Sequence, residues 1–254
     1  MNELKLIDVH AHLNFANYDA DREAVFARAR DLEIGVINVG TDAKTSQFAV
    51  ELAKNRENVW ATVGLHPTDF AEGFDYEFYL NLAKSEKVVG IGECGLDYFH
   101  QKTLEEQTKQ QEIFSAQIKL ANEVGKPLML HIRNAYRDAY EILKSEARVK
   151  GNAHFFAGTW DEAKMFLDLG FTLSFGGVTT FVRDYDEVIR NAPLEMLLTE
   201  TDCPFVAPVP YRGKRNEPSY LPEIVKKIAE IKGESVEKIS EVTLADAKRV
   251  FGLS

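Results

Sequence analysis

Cysteine is nearly absent: Cys94 and Cys203 are the only two in 254 residues. That leaves no spaced disulfide framework and points away from a small extracellular scaffold; each is expected as a small buried packing residue without chemistry of its own. Long uncharged apolar runs are also missing, so no membrane-spanning helix is expected. The opening Met1-Asn2-Glu3-Leu4-Lys5 has no basic-then-apolar leader, which makes the cytoplasm the expected address. Linkers rich in serine, glycine and proline, low-complexity tracts and short repeats do not occur, so residues 1–254 are expected to form one domain. Positive charge is in deficit. At a net charge of −10 the surface as a whole repels duplex nucleic acid. A polyanionic substrate would have to be captured locally, by bound cations or a small basic loop.

What is present is an ordinary globular composition, 45% hydrophobic and 28% charged, arranged as a repeated alternation. Runs with strand character fall at 4–10, 35–40, 59–65, 88–93, 127–133, 151–156, 171–176 and 196–202. Helical spacing fills 19–33, 42–55, 75–86, 103–124, 135–147, 160–169 and 184–191, with two further helices at 218–231 and 235–250. Strands alternating with helices imply right-handed βαβ units, and eight of them close most simply into a (β/α)8 TIM barrel, a fold of about 250 residues. The segment 203–218 carries four prolines and is too long for a simple connection. It is expected to be a functional loop over the mouth.

In such a barrel, side chains at the carboxyl ends of the strands converge on one mouth. Asp8, His10 and His12 alternate, so an extended backbone turns all three to one face and lets both imidazoles share a cation. Asp8 is either part of that site or an orienting partner for a histidine. Glu93 ends Val-Val-Gly-Ile-Gly-Glu, where it could bridge two cations or cap the next helix. Asp97 fits a structural cap and a substrate contact equally well. His131 and His154 end the fifth and sixth strands, and Asp202 follows the eighth. With the other ligands they fill a second site, and Asp202 could take a proton from water. Glu200 shares a face with Asp202 by period two and could hold a third cation or a helper water. Arg133 is placed to clamp a phosphate or to pair with a helix residue. His66, in Gly-Leu-His-Pro, is expected to touch substrate or leaving group. Arg212, Lys214, Arg215 and Asn216 offer phosphate donors, or form a solvated turn.

Together, Asp-Val-His-Ala-His, Gly-Leu-His-Pro, Gly-Ile-Gly-Glu-Cys-Gly-Leu-Asp, His-Ile-Arg, His-Phe-Phe-Ala-Gly and Glu-Thr-Asp-Cys-Pro…Arg-Gly-Lys-Arg-Asn-Glu-Pro resemble the TatD family of metal-dependent deoxyribonucleases. The six motifs span nearly the whole chain in the same order. The resemblance implies a metal barrel of the amidohydrolase type with two, sometimes three, divalent ions: His10, His12 and Asp202 on one, His131 and His154 on the other, and Glu93 between them. The segment after His154 lacks the Cys and Ser often found there, and Cys203 stands where Ser is common; neither touches an expected ligand. The expected activity is metal-assisted phosphodiester hydrolysis from the 3′ end of single-stranded or frayed DNA, with Glu93 and Asp202 catalytic. Mg²⁺, Mn²⁺ and Zn²⁺ all remain open as the metal. The alternatives are an ester or amide hydrolase, such as one removing D-amino acids from tRNA, and a non-enzymatic nucleic-acid-binding barrel. A monomer is favoured.

Overall fold

The computed structural model describes residues 4–253; residues 1–3 and 254 of the expected 1–254 unit lie outside the described residues. Eight strands pair in parallel in chain order: β1 (Leu6–Ala11), β2 (Ile34–Val39), β3 (Val59–Val63), β4 (Val88–Asp97), β5 (Leu128–Arg133), β6 (Gly151–Ala153), β7 (Thr172–Phe175) and β8 (Leu197–Thr199). Between them run α1 (Arg22–Asp31), α2 (Ala43–Lys54), α3 (Tyr76–Ala83), α4 (Leu104–Val124), α5 (Tyr136–Glu146), α6 (Trp160–Asp168) and α7 (Asp186–Asn191). After β8 come α8 (Leu221–Lys232) and α9 (Val236–Phe251). The result is the expected (β/α)8 barrel, nearly closed. No helix among the described residues is long and apolar enough to cross a membrane.

The helices start where local chemistry satisfies their free N–H groups. Asp42, Thr103 and Thr159 each accept from the backbone N–H three residues on, and Thr45, Glu106 and Glu162 reach back to complete capping boxes. Apolar faces then pack on the barrel: Ile113, Phe114 and Ile118 of α4 and Ile224, Val225 and Ile228 of α8 are buried. Each such side chain contributes on the order of 1.5–3 kcal/mol by leaving water. A second cluster joins Ile7, Val9, Ile37, Trp60, Met129 and Leu198 to Phe251 of α9.

Strands β6 and β8 are shorter than the runs 151–156 and 196–202 suggested, because Phe155 (φ 43) and Asp202 (φ 53) turn the chain out of extended geometry. His154 and Asp202 therefore stand just past their strands. Strand β4 is longer than expected. Gly92 (φ 141) and Gly95 (φ 139) flank Glu93, and a Cβ on either would collide with the carbonyl of Met129 or His131 at 2.2 or 2.0 Å. Only glycine allows that approach, so the β4–β5 pairing shifts register and continues to Asp97.

Strand β8 meets β1 through few ladder bonds. His12 N donates to Cys203 O (2.9 Å), Asp202 N to His10 O (2.9 Å), and buried Asp8 accepts from Thr201 N (2.9 Å) and Thr201 Oγ (2.5 Å). Asp8 thus fastens the seam of the barrel, and burial pushes its carboxyl up to about 7.

Candidate metal centre at the barrel mouth

Strand β1 delivers His10 and His12 with their Nε2 atoms 3.1 Å apart. The Nδ1 of His12 can only donate to Val39 O, 3.0 Å away, which leaves its Nε2 lone pair aimed into the mouth. Burial, aided by the neighbouring His154, holds His10 down to about 3, so its ring is neutral and able to act as a ligand. Asp202 Oδ1 lies 3.4 Å from His12 Nε2 and 3.7 Å from His10 Nε2.

Glu93 divides its oxygens between two sets of imidazoles. Its Oε2 is 3.4 Å from His10 Nε2 and 3.6 Å from His12 Nε2. Its Oε1 is 3.0 Å from His131 Nδ1, 2.9 Å from His154 Nε2 and 3.3 Å from His66 Nε2. Burial alone would raise its pKa, but the imidazoles of His154, His66 and His10 hold the carboxyl well below its ordinary range. For His154 burial is likewise outweighed, by Glu93 and Glu200, and its pKa is raised well above the usual value.

Three groups bring their donor atoms within 4.8 Å of one another: His10, His12 and Asp202; His10, Glu93 and His154; and His66, Glu93 and His131. Imidazole nitrogens and carboxylate oxygens converging from different strands, with neutral His10 among them, fit divalent cations. His12, His66, Glu93, His131, His154 and Asp202 line a cavity of about 610 Å³ together with Arg133, Phe15, Phe155, Tyr185, Phe205 and Val206, while His10 is fully buried. A cavity of the same size at the amino ends of β2 and β3 contains none of them.

Several residues sit differently from the sequence expectation. His66, expected as a substrate contact, is drawn to Glu93, while its Nδ1 lies 2.7 Å from Thr68 Oγ1. Asp97 neither caps a helix nor faces the cavity: it is buried, and its carboxylate holds His131 and His100. Glu200, expected near a third cation or a helper water, is fully buried, with one oxygen on Phe155 N–H (2.6 Å) and the other on Ser174 Oγ (2.6 Å). Period two fails there because Asp202 leaves extended geometry, and Glu200 instead backs His154, whose Nδ1 is 3.6 Å away.

Arg133 does line the cavity, with its guanidinium 3.8 Å over the Phe99 ring. The basic loop does not reach the mouth. Asn216 is buried and gives both amide hydrogens to Thr201 O (2.8 Å) and Phe205 O (2.7 Å). Arg215 pairs with Asp21, Arg212 lies 3.5 Å over Phe181, and Lys214 points to solvent near Tyr211. The cavity residues Phe15, Tyr185 and Phe205 escaped the sequence reading, since isolated aromatics outside any ligand pattern look like core.

Ligand atoms gathered at the carboxyl ends of barrel strands define a metal-dependent hydrolase. A family model described as TatD related DNase matches residues 7–252, and the chain belongs to that family. It is 41% identical to an uncharacterized metal-dependent hydrolase, YabD, of Bacillus subtilis, over 98% of this chain and all of that protein. It is 35% identical to the 3′-5′ ssDNA/RNA exonuclease TatD of Pantoea ananatis, over 98% of this chain and all of that one. Among solved structures, the TatD homolog YjjV of Escherichia coli K12 superposes with a TM-score of 0.90 at 28% identity, covering 98% of this chain and 99% of its own.

Proposed function

We propose that the protein is a nuclease that hydrolyses phosphodiesters from the 3′ end of single-stranded or frayed DNA. The observation that carries this reading is the divided carboxylate of Glu93, whose two oxygens face separate imidazole sets, Oε2 at 3.4 Å from His10 and Oε1 at 3.0 and 2.9 Å from His131 and His154. A carboxylate so shared is suited to a pair of cations, and paired cations suit in-line displacement at phosphorus. His10, His12 and Asp202 would hold one ion, His131 and His154 the other, with Glu93 common to both and His66 beside the second. Bound there, divalent ions supply Lewis acidity toward phosphoryl oxygens and lower the pKa of water.

The chain's own groups do the rest. Asp202 is the least enclosed of the two carboxylates and stands at the mouth, where it accepts the proton of the attacking water. Arg133 offers a planar cation at the rim for the non-bridging oxygens of a neighbouring phosphate. The net charge of −10 disfavours wrapping a duplex. The name of the Pantoea relative supports the same substrate class.

The test is to strip the protein with a chelator and restore Mg²⁺, Mn²⁺ or Zn²⁺ singly. Cleavage of a labelled single strand should vanish and return with at least one ion. Equal cleavage without metal, or turnover of D-aminoacyl-tRNA and not of DNA, would defeat the reading.

A further inference from the structure

Phe205 is 49% exposed although it follows Asp202 by only three residues and borders the metal cavity. An apolar ring in water is not unusual by itself. This one is held there by rigid backbone: its N–H donates to Asp202 O (3.0 Å), and its carbonyl accepts from the buried Asn216 amide (2.7 Å). The next residue, Val206, adopts φ 42, an unfavourable conformation for a β-branched side chain. Phe205 lies 6.2 Å from the His12 ring and 6.3 Å from Phe15, nearly perpendicular to both, and Phe15 is stacked on His12 at 4.5 Å. The aromatic wall is therefore continuous with a metal-binding imidazole.

Phe15 follows β1 and Phe205 follows β8, neighbouring strands, whereas Arg133 ends β5, on the far side of the eight-strand ring. The mouth thus presents flat apolar rings on one side, the Glu93 and histidine cluster in the middle and the Arg133 guanidinium, stacked over Phe99, opposite. A nucleotide has the same order of parts: a flat base, the scissile phosphate and the next phosphate. A base inside a duplex has both faces covered by its neighbours and is held to its partner; an unpaired terminal base has an open face and is free to turn onto a ring at the side of the mouth.

We propose that Phe205, supported by Phe15, is the platform on which the unpaired terminal base stacks, making it the residue that selects single-stranded ends. This rests on the nuclease reading above. Phe205 acts by binding and leaves proton transfer to the carboxylates.

The experiment compares wild type, Phe205→Ala and Phe205→Trp on two single-stranded oligonucleotides that differ only in whether the 3′-terminal residue carries a base or is abasic. Wild type should show a KM about tenfold lower for the base-bearing end, the order expected for one base–aromatic stack. In Phe205→Ala the preference should fall to about one, while Phe205→Trp should keep it. A preference that persists in Phe205→Ala, or is absent from wild type, overturns the proposal. Wild type that cuts neither oligonucleotide, with its metal content verified, overturns the nuclease reading and this one with it.

Discussion

His131 Nε2 lies 3.2 Å from Asp97 Oδ2, on a carboxylate that also takes the His100 N–H and Nδ1, both at 2.8 Å. The histidines hold Asp97 well below the usual carboxylate range against the effect of burial, so it is a fixed anion that sets the His131 ring with Nδ1 toward Glu93. Carboxylates in this relation to a ligating histidine commonly govern metal affinity by about 10–100-fold. Asp97→Asn should weaken Zn²⁺ binding by about that factor in a competition titration against a chromogenic chelator, with unaltered circular dichroism. Wild-type affinity in the variant would remove Asp97 from the site.

In the proposed reaction Asp202 has a role separate from that of Glu93. If it takes the proton of the attacking water, Asp202→Asn should lower kcat by about 10²–10⁴ while KM for a single strand changes little. The measurement is steady-state kinetics alongside metal analysis of the same sample. Undiminished kcat would assign the base elsewhere.

The buried Asn216 amide ties the loop after Asp202 to Thr201 O and Phe205 O. Asn216→Ala leaves two carbonyls without their donor, and each loss costs about 1–3 kcal/mol. The two losses together make about 2–6 kcal/mol, and at roughly 2–4 °C per kcal/mol for a chain of this size Tm should fall by at least about 4 °C, with activity reduced because Asp202 and Phe205 lose their support. Thermal melts of the two proteins decide it; equal Tm values would contradict this role for the amide.

Glu217 at the end of that loop receives a two-pronged bond from Arg28 of α1, Nε at 2.7 Å and Nη2 at 2.6 Å, and a further bond from Ser219 Oγ. Burial pushes its carboxyl up, but Arg28 and Ser219 win, and it is held below its ordinary 4.5. A depressed acid stabilises the fold fully above that ordinary value, and the contribution is lost as pH falls through the folded value. Because Arg28 is half exposed, the pair is worth about 1–2 kcal/mol after screening. Glu217→Gln should therefore be less stable than wild type in urea at pH 7, and the gap should close below pH 4.5. A gap constant from pH 7 to 3 would contradict the ion pair.

The candidate ligand cluster was legible because its signals are local and periodic. His10 and His12 sit two apart on an extended segment, and Glu93 lies among glycines that the backbone requires there. Eight strands were countable because apolar runs alternate with helical spacing. The period-two pairing of Glu200 with Asp202 failed since it presumed a strand that had already ended at Thr199. The donors expected of the basic loop misled at Asn216 and Arg215, whose polar atoms are spent on Thr201 O, Phe205 O and Asp21. Contacts such as Asp97 with His131 cross 34 residues, and nothing in local sequence reports them.

The two banks of the β8–β1 junction each carry part of the cation-binding set, with His10 and His12 on one and Asp202 on the other, clasped by Asp8 and Thr201. A chain emerging from the ribosome holds its earliest histidines long before the last acid arrives. The hydrolytic apparatus is therefore finished only when the polypeptide's beginning and its final strand have met, and a product truncated before residue 202 would be inert however well its first half had folded.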